Sequence, residues 1–185
     1  FEGDPTDLSD DADFRGARFD SSVTFDRAEF RYANFIDTNF QTASFDQVTF
    51  EEGAAYDGAH VSGDFSLCYS QVMGDASLTD VVFEGEATFS GTAFEGGPNV
   101  ETWAVSFQES EFRATVTFDE CEFQHANFIE TTFTESVSFD EVTFEEGASY
   151  DRAHVNGSFN LCRSRFIGSV SLTDVVFEGE ATFTG

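Results

Sequence analysis

The chain reads as a solenoid, and three observations say so. A large aromatic recurs nearly every fifth residue: Phe14, Phe19, Phe25, Phe30, Phe35, Phe40, Phe45 and Phe50, then Phe107, Phe112, Phe118, Phe123, Phe128, Phe133, Phe139 and Phe144. The occasional six-residue steps between these centres fall with a fixed parity. The chain also repeats itself at a second, longer period. A five-residue period matches neither a helix, at about 3.6, nor an ordinary strand, so it marks a repeating structural unit.

Two positions before each centre sits a small or β-branched residue, as in Ala17-Arg18-Phe19, Ala33-Asn34-Phe35 and Val116-Thr117-Phe118. This A-x-F-x-x unit resembles the pentapeptide-repeat family, and the likeness extends over about 31 centres between Phe14 and Phe183. The resemblance implies an all-β fold, a right-handed four-sided parallel β-helix in which each unit makes one side. The family more often centres its units on Leu. Here Phe dominates, with Tyr56, Leu67, Val72 and Leu78 among the exceptions. The bore is therefore expected to hold aromatic stacks. Coils about 4.8 Å apart suit the offset and edge-to-face contacts that rings prefer at about 4.5–7 Å.

Six-residue steps occur at Phe19 to Phe25, Phe50 to Tyr56, Val61 to Leu67, Val72 to Leu78 and Phe83 to Phe89. In the second half they occur at Phe112 to Phe118, Phe133 to Phe139, Phe144 to Tyr150, Val155 to Leu161, Phe166 to Leu172 and Phe177 to Phe183. Counted from Phe14, each runs from an even centre to an odd one. Four sides, or two, stack the extra residues at opposite corners; three sides scatter them. Where the parity is fully used a turn takes 22 residues rather than 20, which suggests an oblong section. The expectation is about eight turns, on the order of 40 Å long, with strands of two to three residues per side and no helix of note. Centres such as Phe30, Phe50, Phe123 and Phe144 should be buried.

Ser138 to Gly185 matches Ser44 to Gly91 at about three positions in four, and Leu78 to Phe89 recurs unchanged at Leu172 to Phe183. Phe1-Glu2-Gly3-Asp4-Pro5 resembles Phe94-Glu95-Gly96-Gly97-Pro98. The chain divides into module 1, residues 1–93, and module 2, residues 94–185, in rotational phase along one rod. Gly96-Gly97-Pro98 interrupts the ladder, giving a loop near 96–104. Trp103 either covers the base of that loop or is an exposed docking residue. Neither end reads as capped, and solenoids need caps. The expectation is a fragment of a longer tandem array, or a chain whose ends pair with neighbours.

Of 25 Phe, 22 sit on centres, and Phe65 and Phe159 sit two before Leu centres. Burying each contributes on the order of 1.5–3 kcal/mol, so the core needs no disulfide or metal. Net charge is −28, with 36 carboxylates against eight arginines and no lysine. Such imbalance strains the compact state unless salt screens it. The composition resembles proteins of extreme halophiles. The alternative reading is a DNA mimic that binds a basic groove such as that of a type II topoisomerase, as some pentapeptide-repeat proteins do. Successive sides carry 8, 5, 6 and 7 acids, so the charge is spread round the rod. The C-terminal dimerising segment of the gyrase-directed members has no counterpart here. Nucleic acid and membrane surfaces are disfavoured as partners because there is no basic patch.

Cys68 and Cys162 are one duplicated outward position about 19 Å apart, beyond disulfide reach. Cys121 takes the small inward position before Phe123 and should be a buried small hydrophobe. Three thiols that cannot pair favour a reducing, cytoplasmic setting. His60 and His154 are another duplicated outward pair, and His125 stands apart. None has zinc-ligand spacing. Glu51-Glu52, Asp119-Glu120 and Glu145-Glu146 are adjacent acids, not an acid–base pair across a cleft. Weak cation association along ladders of acids is allowed, without a dedicated Ca²⁺ loop. The reading is a non-enzymatic structural or interaction solenoid with no cofactor, which meets a protein partner or neighbouring copies. Its candidate surface is the repeated Glu84, Glu86, Glu178 and Glu180, together with Trp103.

Overall fold

The computed structural model describes residues 11–98 and 102–184. These form a parallel β-solenoid of about eight coils, built from 29 short strands with no helix among the described residues. Successive strands along any one side pair in parallel, one coil on. Ala12 lies beside Ala33, Ala33 beside Ala54, and Ala54 beside Ala76. A coil therefore takes 21 or 22 residues. The step from Ala76 to Val105 is longer, because the segment after Phe94 leaves the ladder before rejoining it.

The centres define four sides. Phe14, Phe35 and Tyr56 begin side one, Phe19 and Phe40 side two, Phe25 and Phe45 side three, and Phe30 and Phe50 side four. Sides two and three are separate eight-stranded sheets. Sides four and one join into one 13-stranded sheet, because Glu122–Asn127 and Thr143–Ser149 run unbroken round their common corner. Three sheets thus make four sides. The ladders of all sides run through the boundary near residue 94, as where Phe83 pairs with Phe112 and Ala87 with Val116.

Rings of one side lie flat on each other from coil to coil. Phe83 and Phe112 are 4.8 Å apart at 4°, and Phe144 and Phe166 are 4.8 Å apart at 3°. Rings of neighbouring sides meet edge to face, as Phe112 does Phe118 at 81°. Each close pair adds about 0.5–1.5 kcal/mol beyond its buried area. Where side three has Leu67 as its centre, Phe65 carries the ring column instead, 5.7 Å from Phe45 and 5.5 Å from Phe89. Phe159 does the same beside Leu161. Phe50, Phe123 and Phe144 are fully buried. Phe30 is only partly buried, contrary to expectation, because it lies in the first described coil.

The step parity corresponds to two kinds of corner. Corners between sides one and two, and between three and four, are tight turns in which the centre's carbonyl accepts from the amide three residues on, as Phe14 does from Ala17 at 2.9 Å. Their third residue has positive φ, for example Gly16 at 66°, Arg27 at 61°, Gln47 at 59° and Glu120 at 61°. That is the backbone of a type II turn. The other two corners take the sixth residue.

The small position two before the centre is more than a gap-filler on sides two and four. Thr38, Ser70, Thr92, Ser110 and Thr131 are buried there, and each donates its hydroxyl to a centre carbonyl of the preceding coil. Ser70, Thr92 and Ser110 also accept from a buried amide of that coil. Cys121 stands in the same column and donates S–H to the Phe89 carbonyl at 3.0 Å. It is therefore a weak donor in a hydroxyl position rather than a mere hydrophobe. A buried polar group left unpaired costs about 1–3 kcal/mol, which is why hydroxyls recur there.

Candidate interaction surface

Glu84-Gly85-Glu86 and Glu178-Gly179-Glu180 occupy the wide corner between sides two and three. Glycine is required in the middle. A Cβ on Gly85 would stand 2.4 Å from the carbonyl of Gly63 below it, and one on Gly179 would stand 2.2 Å from that of Gly157. The backbone therefore packs closely while both flanking carboxylates point outward, and all four Glu are exposed.

The corner carries an ordered charge pattern. His60 Nε2 lies 3.2 Å from Glu84 Oε1 in the coil above, and His154 Nε2 lies 3.3 Å from Glu178 Oε1. Sequence placed these histidines outward but did not pair them with the repeated glutamates. The pairing follows from register, since His60 lies beside Val82 and His154 beside Val176. Above Glu84 the pattern continues: Arg113 Nη1 is 3.0 Å away, with Nη2 2.7 Å from Glu111.

Other acids are committed to the scaffold. Asp26 accepts the Ser44 hydroxyl at 2.5 Å and the Asp46 amide at 3.0 Å. Asp46, Asp57, Asp119 and Asp151 accept in the same way from Ser66, Ser77, Ser138 and Ser171. The hydroxyl bond from Ser44 is the main reason that Asp26 titrates below the usual aspartate range; Ser171 does the same for Asp151. The signal in sequence is the Ser-Phe-Asp run, Ser44-Phe45-Asp46 and Ser138-Phe139-Asp140, whose serine reaches the aspartate one coil earlier.

Trp103 is partly buried at the foot of the loop, its ring 4.0 Å from that of His125, whose buried Nδ1 has no hydrogen-bond partner. Gly97 donates its amide to Asp75 at 2.7 Å, tying the loop down. The cavity between them is about 10 Å³ and is lined by Asp75, Gly96, Gly97, Gln124, His125 and Glu146, among others. That is scarcely room for one water. The larger concavities are open troughs on the flat sides, such as that of about 420 Å³ over Asn39, Gln41, His60 and Ser62. Burial pushes the Cys68 and Cys121 thiols up, so neither is an activated nucleophile. Among the described residues no three His, Cys, Asp or Glu side chains group to hold a metal ion. No helix among them is long and apolar enough to cross a membrane.

A family model described as pentapeptide repeats (9 copies) matches residues 6–49 and 102–143. No curated protein matches the chain. Among solved structures the chain is similar to HetL, a pentapeptide repeat protein involved in heterocyst differentiation regulation from the cyanobacterium Nostoc sp. strain PCC 7120. That match has 14% identity and a TM-score of 0.26, and covers 91% of this chain and 86% of that one. It is also similar to QnrB1, a plasmid-mediated fluoroquinolone resistance protein, at 14% identity and a TM-score of 0.21, over 88% of this chain and 92% of that one.

Proposed function

We propose that this β-solenoid, similar to pentapeptide repeats over residues 6–49 and 102–143, serves as a non-catalytic spacer or interaction rod, one stretch of a longer array of such modules. Its task is to present the same outward residues to a protein partner at fixed intervals, in a salt-rich setting. The observation that carries this is the unchanged repetition of Leu78 to Phe89 at Leu172 to Phe183, outward residues included. Core packing alone would keep only the inward ones. The repeated His60–Glu84 and His154–Glu178 pairs support the same reading. Sites held at intervals of about four coils suit multivalent contact. Against catalysis, the bore is filled by stacked rings, and Asp26, Asp46, Asp119 and Asp151 are spent on serine hydroxyls and backbone amides of the next coil.

The DNA-mimic reading is weaker, because a mimic gains only from charge on the face it docks, whereas the acids here lie on every side. A photo-cross-linking residue placed at Glu86, or separately at Glu180, tests the choice in cells that make the protein. The rod reading expects the same protein adduct from both positions. No adduct at either position removes it. A topoisomerase adduct, with dose-dependent inhibition of supercoiling in high salt, installs the mimic in its place.

A further inference from the structure

Tyr69 stands out on a surface that is otherwise polar. It is 64% exposed although coils cover it on both sides, and the other exposed large apolar side chains all lie within residues 167–183. Its place is the tight corner between sides three and four, with φ at 51°. Arg27 and Gln47 hold that place in earlier coils, and Gly91, Glu120, Glu141 and Arg163 in later ones. The register is direct, since Tyr69 donates its amide to Ser90 and Gly91 to Asp119. Gly91 is the one member of this column without a side chain, and the Tyr69 ring lies against it. A Cβ there would stand 2.4 Å from Tyr69 Cδ1. The ring thus rests on backbone, directed along the rod toward Glu120, with a face open to solvent.

The charge around that face has one sign. On sides three and four of the surrounding coils, residues 44–51, 66–73, 88–95 and 117–124 carry Asp46, Glu51, Glu95, Asp119, Glu120 and Glu122, with no arginine, lysine or histidine. Asp46 and Asp119 accept from serine hydroxyls and amides of the next coil, and Glu95 from Gln71. Glu120 is exposed, and among the described residues its carboxylate takes no hydrogen bond or ion pair. The same corner shows elsewhere what such acids hold. Arg163, the counterpart of Tyr69 in the duplicated stretch, reaches back one coil to an Asp-Glu pair: Nε lies 3.1 Å from Asp140 Oδ1, and Nη1 2.7 Å from Glu141 Oε1. Asp119-Glu120 is the same pair one coil earlier. No guanidinium of the described residues reaches it.

We propose that Tyr69 and Glu120 form a site for an arginine side chain of a partner protein. The guanidinium stacks on the open face of the Tyr69 ring and pairs through its edge with the Glu120 carboxylate. Two coils separate these positions, about 9.6 Å at the inter-strand spacing, and the ring itself spans the first of them. A planar cation that stacks on an aromatic face while its N–H edge bonds a carboxylate is arginine; a lysine ammonium is a hydrated point charge with no such edge. In the second copy the chain's own Arg163 stands where Tyr69 does, so the site belongs to the first copy alone. It goes beyond the duplicated corner, and rests on the rod reading only in taking the partner to be a protein.

The test is a titration of purified chain in molar KCl, which screens diffuse attraction to the net charge beyond about 3 Å and leaves direct contacts. The probe is a peptide of alternating glycine and arginine. The readout is the ring signals of the four tyrosines by heteronuclear NMR, with Tyr69 assigned by the signal lost in Tyr69→Phe. The Tyr69 signal is expected to shift saturably while those of the buried Tyr56 and Tyr150 stay still. Glu120→Gln is expected to weaken binding about threefold. Glu86→Gln removes the same charge from another corner and is expected to leave binding unchanged. The matching lysine peptide is expected to bind several-fold more weakly. No saturable shift at Tyr69, an equal loss in Glu86→Gln, or equal binding of the lysine peptide overturns the proposal. Because the readout is confined to Tyr69 of purified chain, that failure leaves the cellular cross-linking result at Glu86 and Glu180 standing on its own.

Discussion

Tyr56 and Tyr150 occupy the same position in the two halves, each stacked on a Phe of the previous coil at 4.8 Å. Both hydroxyls are buried without a hydrogen-bond partner, and burial holds both phenols well above their usual titration range. An unpaired buried hydroxyl costs about 1–3 kcal/mol, while the ring packs equally well without it. Tyr56→Phe and Tyr150→Phe are therefore each expected to stabilise the fold by about 1 kcal/mol in chemical unfolding. A loss of stability would mean that the hydroxyl has a partner such as a buried water. Asp26 makes the opposite case. Its carboxylate is held below the ordinary aspartate range by the Ser44 hydroxyl and, less strongly, the Asp46 amide. A folded value below the unfolded one contributes stability that is present above the unfolded value and lost as pH falls through the folded one. The stability gap between the native chain and Asp26→Ala, measured in molar salt, should thus be widest above about pH 5 and narrow below about pH 4. A gap constant with pH would show that the carboxylate charge contributes nothing.

Coils are set by their corners, and here sequence was legible in part. The parity of six-residue steps located the wide corners, because an inserted residue changes spacing. The tight corners were hidden, because Arg27, Gln47, Glu120 and Glu141 stand at positive φ where glycine is the usual signal. The merging of sides four and one was also hidden, since it depends on the backbone of Glu122–Asn127 and Thr143–Ser149 staying extended through a corner. At the candidate surface the repeated glutamates could be read from duplication. Their histidine partners could not, because register across coils decides them. Close approach at the wide corners yields a ranking that spacing alone does not. A Cβ on Gly168 would stand 1.9 Å from the Glu146 carbonyl oxygen, whereas one on Gly16 meets nothing within 4 Å, although its φ is +66°. Gly16→Ala should cost about 1 kcal/mol of backbone strain. Gly168→Ala should cost about 2–3 kcal/mol, since the coil beneath must move. Thermal melts giving the reverse order would contradict the close stacking at that corner.

Across the whole molecule, aromatic burial opposes charge repulsion. The ring columns run the length of the described coils, which carry acids on every side, in a chain of 36 carboxylates and eight arginines. Because surface repulsion is screened within about 10 Å at 0.1 M salt and about 3 Å at 1 M, the melting temperature should climb from dilute buffer to molar KCl and then level off. A flat response would remove the salt-rich setting from the proposal and leave the acidity to be explained by a basic partner. The central claim is that one continuous rod carries the duplicated corner in phase across the segment that leaves the ladder after Phe94. The most direct test is a distance between spin labels at Glu84→Cys and Glu178→Cys, with Cys68, Cys121 and Cys162 changed to Ser. Four coils at the inter-strand spacing place these positions about 19 Å apart on the same corner. The account predicts a single narrow distribution near that value, allowing for the label arms. A broad distribution, or one centred beyond about 30 Å, too far for four coils at that spacing, would show two modules turned or hinged relative to each other and would contradict it.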